Sequence, residues 1–107
     1  MKPEVLKGHL ELLLLAAVTD TPAHGYAIAE RLRARSSGTF DLPEGTLYPA
    51  LHRLERAGAL SSKWSEVGGR RRRVYQLTAK GHRVLAKHHQ EWRDFSRAVR
   101  AVVGGPA

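Results

Sequence analysis

The chain contains no cysteine. Disulfides, thiolate zinc sites, iron–sulfur clusters and a cysteine nucleophile are therefore excluded, while a reducing compartment is allowed. Long hydrophobic runs are also missing. Leu12 to Val18 is unbroken apolar sequence, but it falls far short of the roughly 20 residues a membrane span requires. It also lacks the small-residue cleavage site of a signal peptide, so a cytoplasmic location is expected. Catalytic constellations are absent as well. The sequence has no Gly-x-Ser-x-Gly, no phosphate-cradling glycine loop and no paired carboxylates in an apolar setting, and the chain is small for a usual enzyme cleft, so no enzyme is expected. The six histidines are poorly spaced as ligands. His88 and His89 are adjacent and diverge, and no Asp or Glu stands four residues from His82 or His88, so no metal or other cofactor is expected.

Acidic residues are scarce in one half only. Of 18 basic and 10 acidic residues, five of each lie before Glu44, so the net charge of +8 falls entirely on Glu44 and beyond. A GC-rich codon bias explains arginine in place of lysine, but not a neutral half beside a basic one. With 107 residues the chain suits one domain with a single modest core. A polyanionic partner is the first suspicion, although charge alone does not set the fold.

Periodicity supplies the fold. Leu6 to Val18 is helical in composition and apolar nearly all round, so it needs cover on more than one side. The rest of so short a domain covers one side, which leaves the other for something else. Asp20-Thr21-Pro22 ends this helix. A second helix, about His24 to Arg35, buries Ile28 and Leu32 and keeps Arg31, Arg33 and Arg35 outside. The third, Glu44 to Ala57, sets Leu47, Leu51 and Leu54 toward the core with Ala50 between them. Pro49 belongs near its first turn and Gly58 at a left-handed C-terminal cap. Leu60 to Glu66 and Arg72 to Leu77 read as two strands joined around Val67-Gly68-Gly69. Thr78 caps a last helix carrying Leu85, His88, Trp92, Phe95, Val99 and Val102 at heptad a and d spacing, and Gly104 to Ala107 should fray.

The fold class expected is mainly α with a small β-hairpin, a winged helix-turn-helix flanked by an N-terminal and a C-terminal helix. Residues 1–77 form the DNA-binding unit and residues 78–107 a dimerisation helix within the same compact domain. Thr46, Tyr48, Pro49, His52, Arg53 and Arg56 occupy the outer face of the third helix, where a recognition helix presents side chains to base edges and phosphates. A merely solvated basic face is the bland alternative, made weaker by the adjoining wing. Tyr48 has its own alternative, a ring packed in the core with only its hydroxyl outside. Lys63, Arg70, Arg71, Arg72 and Arg73 form a phosphate-binding set. A strand alternates its side chains, so they cannot all point one way. Leu10, Leu13 and Leu14 of the first helix and Leu85, His88, Trp92, Phe95, Val99 and Val102 of the last form the dimerisation set. Trp92 also admits a sharper role, lining a flat cavity for a planar aromatic effector.

Four segments together carry a family resemblance: Leu6-Lys-Gly-His-Leu-Glu-Leu-Leu-Leu-Leu15, His24-Gly-Tyr-Ala-Ile28, Gly45-Thr-Leu-Tyr-Pro-Ala-Leu-His-Arg-Leu-Glu55 and Arg71-Arg-Arg-Val-Tyr-Gln-Leu-Thr78. From about Val5 to Phe95 the chain resembles the short form of the PadR family of bacterial transcriptional regulators. The resemblance implies a winged-helix homodimer that represses transcription from a palindromic operator in double-stranded DNA. It implies relief by a phenolic or other small hydrophobic effector, entry of Tyr48 and its neighbours into the groove, and a swapped dimer packing the last helix on the partner's first. The alternatives are a nucleoid-type protein binding DNA without sequence preference, and a winged-helix module whose basic face meets an acidic protein.

Overall fold

Turn chemistry cuts the helical patterns at sharper points than periodicity alone suggests. The computed structural model describes residues 3–104 in the order α1 (Pro3–Lys7), α2 (Leu10–Ala17), β1 (Ala23–His24), α3 (Gly25–Arg35), α4 (Glu44–Arg56), β2 (Leu60–Val67), β3 (Arg70–Leu77) and α5 (Ala79–Val103). The continuous first helix expected from Leu6 to Val18 is in fact two. Gly8, whose backbone leaves helical geometry at little cost, turns the chain, and His9 donates its amide to the Leu6 carbonyl at 2.9 Å. The turn sets the His9 imidazole edge-on to Trp92, with centroids 5.1 Å apart.

Leu14 and Leu15 of α2, Ile28 and Leu32 of α3, Leu47, Leu51 and Leu54 of α4, and Leu60 and Tyr75 of the sheet form the core. α2 is covered on a second side by α5 of the same chain, so the uncovered flank expected of it is smaller than its composition suggests. Arg31 is not outside either. Its guanidinium donates to the Ala17 carbonyl at 2.9 Å, one of the last carbonyls of α2 and without a partner within the helix, and to the Thr21 carbonyl of the following turn at 2.7 Å.

His24 Nδ1 accepts from the Ala27 amide at 3.3 Å and caps α3. α4 ends in a Schellman arrangement: Gly58 has φ +82°, its amide donates to the Glu55 carbonyl, and the Ala59 amide donates to the Leu54 carbonyl. Pro49 lies in the second turn of α4 rather than the first. The bond it forgoes is to the Gly45 carbonyl on the exposed side of the helix, where solvent is at hand.

β2 and β3 pair antiparallel from Leu60↔Leu77 to Val67↔Arg70. Gly68 and Gly69, at φ +60° and +77°, supply the two left-handed residues of a type I′ turn. Both strands exceed the expected lengths, so Arg70 and Arg71 belong to β3 rather than to a loop at the tip. Two-residue β1, too short for any periodic signal, pairs with β3 through Ala23↔Tyr75 and His24↔Val74, giving the order β1-β3-β2.

Thr78 Oγ1 accepts from the Gly81 amide at 2.9 Å and donates to the Gly58 carbonyl at 2.6 Å, joining the start of α5 to the end of α4. α5, about 37 Å long at 1.5 Å per residue, accounts for much of the 51 Å long axis of the molecule. Gly104 does not fray. At φ +68° it caps α5, its amide donating to the Arg100 carbonyl. The expected fraying beyond it falls on residues 105–107, outside those described.

Candidate nucleic-acid interface

At 100° per residue, the buried stripe of α4 (Leu47, Ala50, Leu51, Leu54) leaves Gly45, Pro49, His52 and Arg56 directly opposite, all exposed. Arg53, exposed, and Thr46, half-buried, lie on one flank; Tyr48 and Glu55, both half-buried, lie on the other. The Tyr48 ring packs over Gly25, where an added Cβ would come within 2.6 Å of it. For the ring, the packed alternative is the one observed.

The wing flanks α4 on the Tyr48 and Glu55 side, and its alternation sorts the cations. Lys63, Arg70 and Arg72 share one face of the hairpin with Val74, while Arg71 and Arg73 share the other with Trp64 and Tyr75. Arg70 and Arg72 border a groove with Tyr26, Arg33 and Tyr48, and neither makes an ion pair among the described residues. Arg33 is bound by Asp41 and Glu30. The hydrogen bond it donates to Asp41 is the first reason its guanidinium holds its proton even more firmly than usual. The Arg72 charge reaches His24, whose pKa is lowered first by burial, then by Arg72 and Arg31.

The other wing face is engaged internally. The Arg71 and Arg73 guanidinium carbons lie 5.3 and 5.7 Å from the Trp64 ring centroid, within cation–π range. Arg73 Nε donates to Ser62 Oγ at 2.7 Å, Ser62 Oγ donates to Glu55 Oε2 at 2.6 Å, and the Arg73 guanidinium approaches the same carboxylate at 3.4 Å.

The expected dimerisation residues divide. Leu14 is fully buried and Leu10 nearly so, both within the chain's own core rather than on its surface. They join Ile28 and Leu32 of α3 and Leu47, Leu51 and Leu54 of α4 in that core. Leu13 and Leu85 are half-buried against the same core, and His88 Nε2 lies 3.1 Å from Glu11 Oε2. Trp92, Phe95, Val99 and Val102 are exposed, at 43%, 57%, 39% and 85%. Trp92 and Phe95 border an apolar cavity of about 370 Å³ against Val5, Leu6, His9, Leu12, Leu13 and Phe40.

Three residues of this surface escape a sequence reading. Tyr26, 63% exposed, stands at the start of α3 with its ring stacked on His24. Trp64, 54% exposed, has the strand parity of buried Leu60 but lies where the hairpin has outrun the core. Glu55 carries no periodic mark, since its partners are 7 and 18 residues away.

A three-helix core, a recognition-type helix with an exposed outer strip and a basic two-stranded wing define a winged helix-turn-helix protein of the DNA-binding class. The profile of the Transcriptional regulator PadR-like family matches residues 14–87. A transcriptional regulator of Mycobacterium tuberculosis is 35% identical over 96 residues, covering 90% of this chain and 87% of its own. Two solved structures are similar along their lengths. A PadR family transcription regulator from hypervirulent Clostridium difficile is 34% identical with a TM-score of 0.75, covering 92% of this chain and 100% of its own. A PadR-like transcription factor from Bacteroides fragilis is 31% identical with a TM-score of 0.76, covering 92% and 94%. The chain belongs to the PadR-like family of transcriptional regulators. Among the described residues no helix is long and apolar enough to cross a membrane.

Proposed function

We propose that this regulator is a homodimeric repressor that reads a two-fold-symmetric operator, with α4 of each protomer in a major groove and the wing on the flanking backbone. The reading is carried by one juxtaposition: the exposed strip of α4 lies beside a wing face bearing Lys63, Arg70 and Arg72 without acidic partners among the described residues. Pro49, His52, Arg53 and Arg56 face base edges, with Thr46 and Tyr48 at the margins, while the wing cations take phosphates.

Residues 1–77 serve DNA binding and residues 78–107 dimerisation. The exposed stripe of Trp92, Phe95, Val99 and Val102 supports the second role, because apolar surface repeated at heptad spacing on a projecting helix gains stability from an identical partner. The apolar cavity beside Trp92 falls in the size range of small-molecule sites, and a small hydrophobic or phenolic effector bound there would relieve repression by altering the spacing of the two recognition helices.

Selection of bound sequences from random DNA at physiological salt should enrich a palindrome. Recovery of unenriched DNA would refute operator reading and favour the nucleoid-type alternative, which the charge alone supports. Titration of phenolic compounds against Trp92 fluorescence, with operator release as the second readout, tests the effector.

A further inference from the structure

Among the described residues, Glu55 is the one acidic residue on the wing flank of α4 whose carboxylate reaches both wing strands, through Ser62 of β2 and Arg73 of β3. It is only 28% exposed. The Arg73 side chain is fixed three times over: by Ser62 Oγ, by the Glu55 carboxylate and by the Trp64 ring that also carries Arg71. Arg70 and Arg72, on the opposite face, have no such tie among the described residues. A guanidinium whose charge is already offset by a carboxylate brings little net positive charge to a phosphate, so it displaces little of the cation atmosphere condensed on the DNA. The same bonds set the angle between the hairpin and the recognition helix, which Gly58 and Thr78 fix only at the root of the wing.

From this geometry we infer that Glu55 is a positioning and specificity-determining residue that locks wing and recognition helix into one rigid unit, and that Arg73 belongs to this lock rather than to the phosphate-binding set. The inference rests on the DNA-binding reading above and refines it. Base contacts from α4 and backbone contacts from the wing then form in one register or not at all. A duplex that misaligns the bases forfeits both.

Salt dependence of binding separates the lock from a direct phosphate ligand. On random duplex, Arg73→Gln should leave the slope of log K against log salt unchanged, whereas Arg72→Ala should flatten it by about 0.9 for each phosphate that is no longer neutralised. Glu55→Gln frees Arg73, so the slope should steepen by about 0.9 per protomer, and preference for the selected operator over random duplex should fall on the order of tenfold, the equivalent of about one mismatched base pair. Glu55→Asp should restore part of that preference. Circular dichroism establishes that each variant is folded; should Glu55→Gln not fold, the Arg73→Gln slope still decides.

A flattened slope for Arg73→Gln, matching Arg72→Ala, overturns the inference. So does a Glu55→Gln protein that is folded and retains wild-type slope and preference. Because the slopes are read on random duplex, they do not depend on an operator having been found; failure to enrich one refutes the operator reading alone.

Discussion

Alanine at position 81 tests the tightest surroundings of any glycine among the described residues. Gly81 lies in the first turn of α5, and a Cβ there would stand 2.0 Å from the Ala59 carbonyl oxygen and 2.8 Å from Leu77 Cδ2. An unstrained contact needs roughly 3.5 Å, so α5 must move by about 1.5 Å. Neither neighbour gives easily. The Ala59 carbonyl accepts the Thr78 amide at 3.2 Å, and Thr78 ties α5 to the end of α4. Overpacking costs about 1–3 kcal/mol, and weakening the Thr78 bond adds about 0.5–1.5 kcal/mol. Replacing a helical glycine by alanine returns only about 0.5–1 kcal/mol. The net loss is about 0.5–4 kcal/mol, a fall in thermal midpoint on the order of 10 °C for a domain of this size. Gly45, also helical, has nothing within 4 Å of its Cβ position, so Gly45→Ala should raise the midpoint by a few degrees, at roughly 0.5–1 kcal/mol of gain. Thermal unfolding followed by circular dichroism at one fixed protein concentration, since association itself raises the midpoint, compares the two. A Gly81→Ala protein as stable as wild type would refute the packing described.

Four further outcomes are expected. Gly25→Ala pushes on the Tyr48 ring rather than on backbone, so it should weaken operator binding nearly as much as Tyr48→Ala while costing little stability; normal affinity by fluorescence anisotropy would show the ring to be uninvolved. Arg53→Ala should lower discrimination at particular base pairs and Arg72→Ala should weaken all sequences alike, so equal losses on operator and random duplex for both would contradict that division. Val99→Asp should convert a dimer to monomer in sedimentation at micromolar concentration, and an unchanged sedimentation coefficient would remove α5 from the interface. Acid should destabilise the fold through His24. Burial first, then Arg72 and Arg31, keep the folded imidazole neutral, and its Nδ1 must be unprotonated to cap Ala27. The unfolded residue takes up its proton near pH 6.5. The unfolded state therefore binds more protons from about pH 6.5 down to the lower folded pKa, and stability falls with pH over that window. His24→Asn, which keeps a capping oxygen that does not titrate, should flatten that part of the urea midpoint profile, and parallel profiles would rule the mechanism out.

Periodicity was enough for α3, α4 and α5, because Ile28 and Leu32, the Leu47-Leu51-Leu54 stripe and the heptad run from Leu85 to Val102 each repeat at a spacing that one helix face can bury. Paired glycines at 68 and 69 marked the hairpin, since few other residues adopt left-handed geometry twice in succession. Charge placement along the chain marked its basic half. The missing parts depend on groups distant in sequence. The break at Gly8 and His9 is made useful by Trp92, 83 residues further on. β1 exists only because Val74 and Tyr75 of β3 offer backbone partners.

What the sequence determined by itself was the inventory: three core helices, a basic hairpin, and a last helix with one apolar and one charged side. Local propensity and hydrophobic spacing suffice for that, because each is settled within a few residues. Only the tertiary structure decided which leucines the core keeps and which cations have company. Leu10 and Leu14 went to the core, Arg31 to the end of α2, Arg33 to Asp41 and Arg73 to Glu55, while Arg70 and Arg72 kept no acidic partner among the described residues. A formal charge is a property of a residue, but its availability to a phosphate depends on what the fold sets within about 4 Å of it.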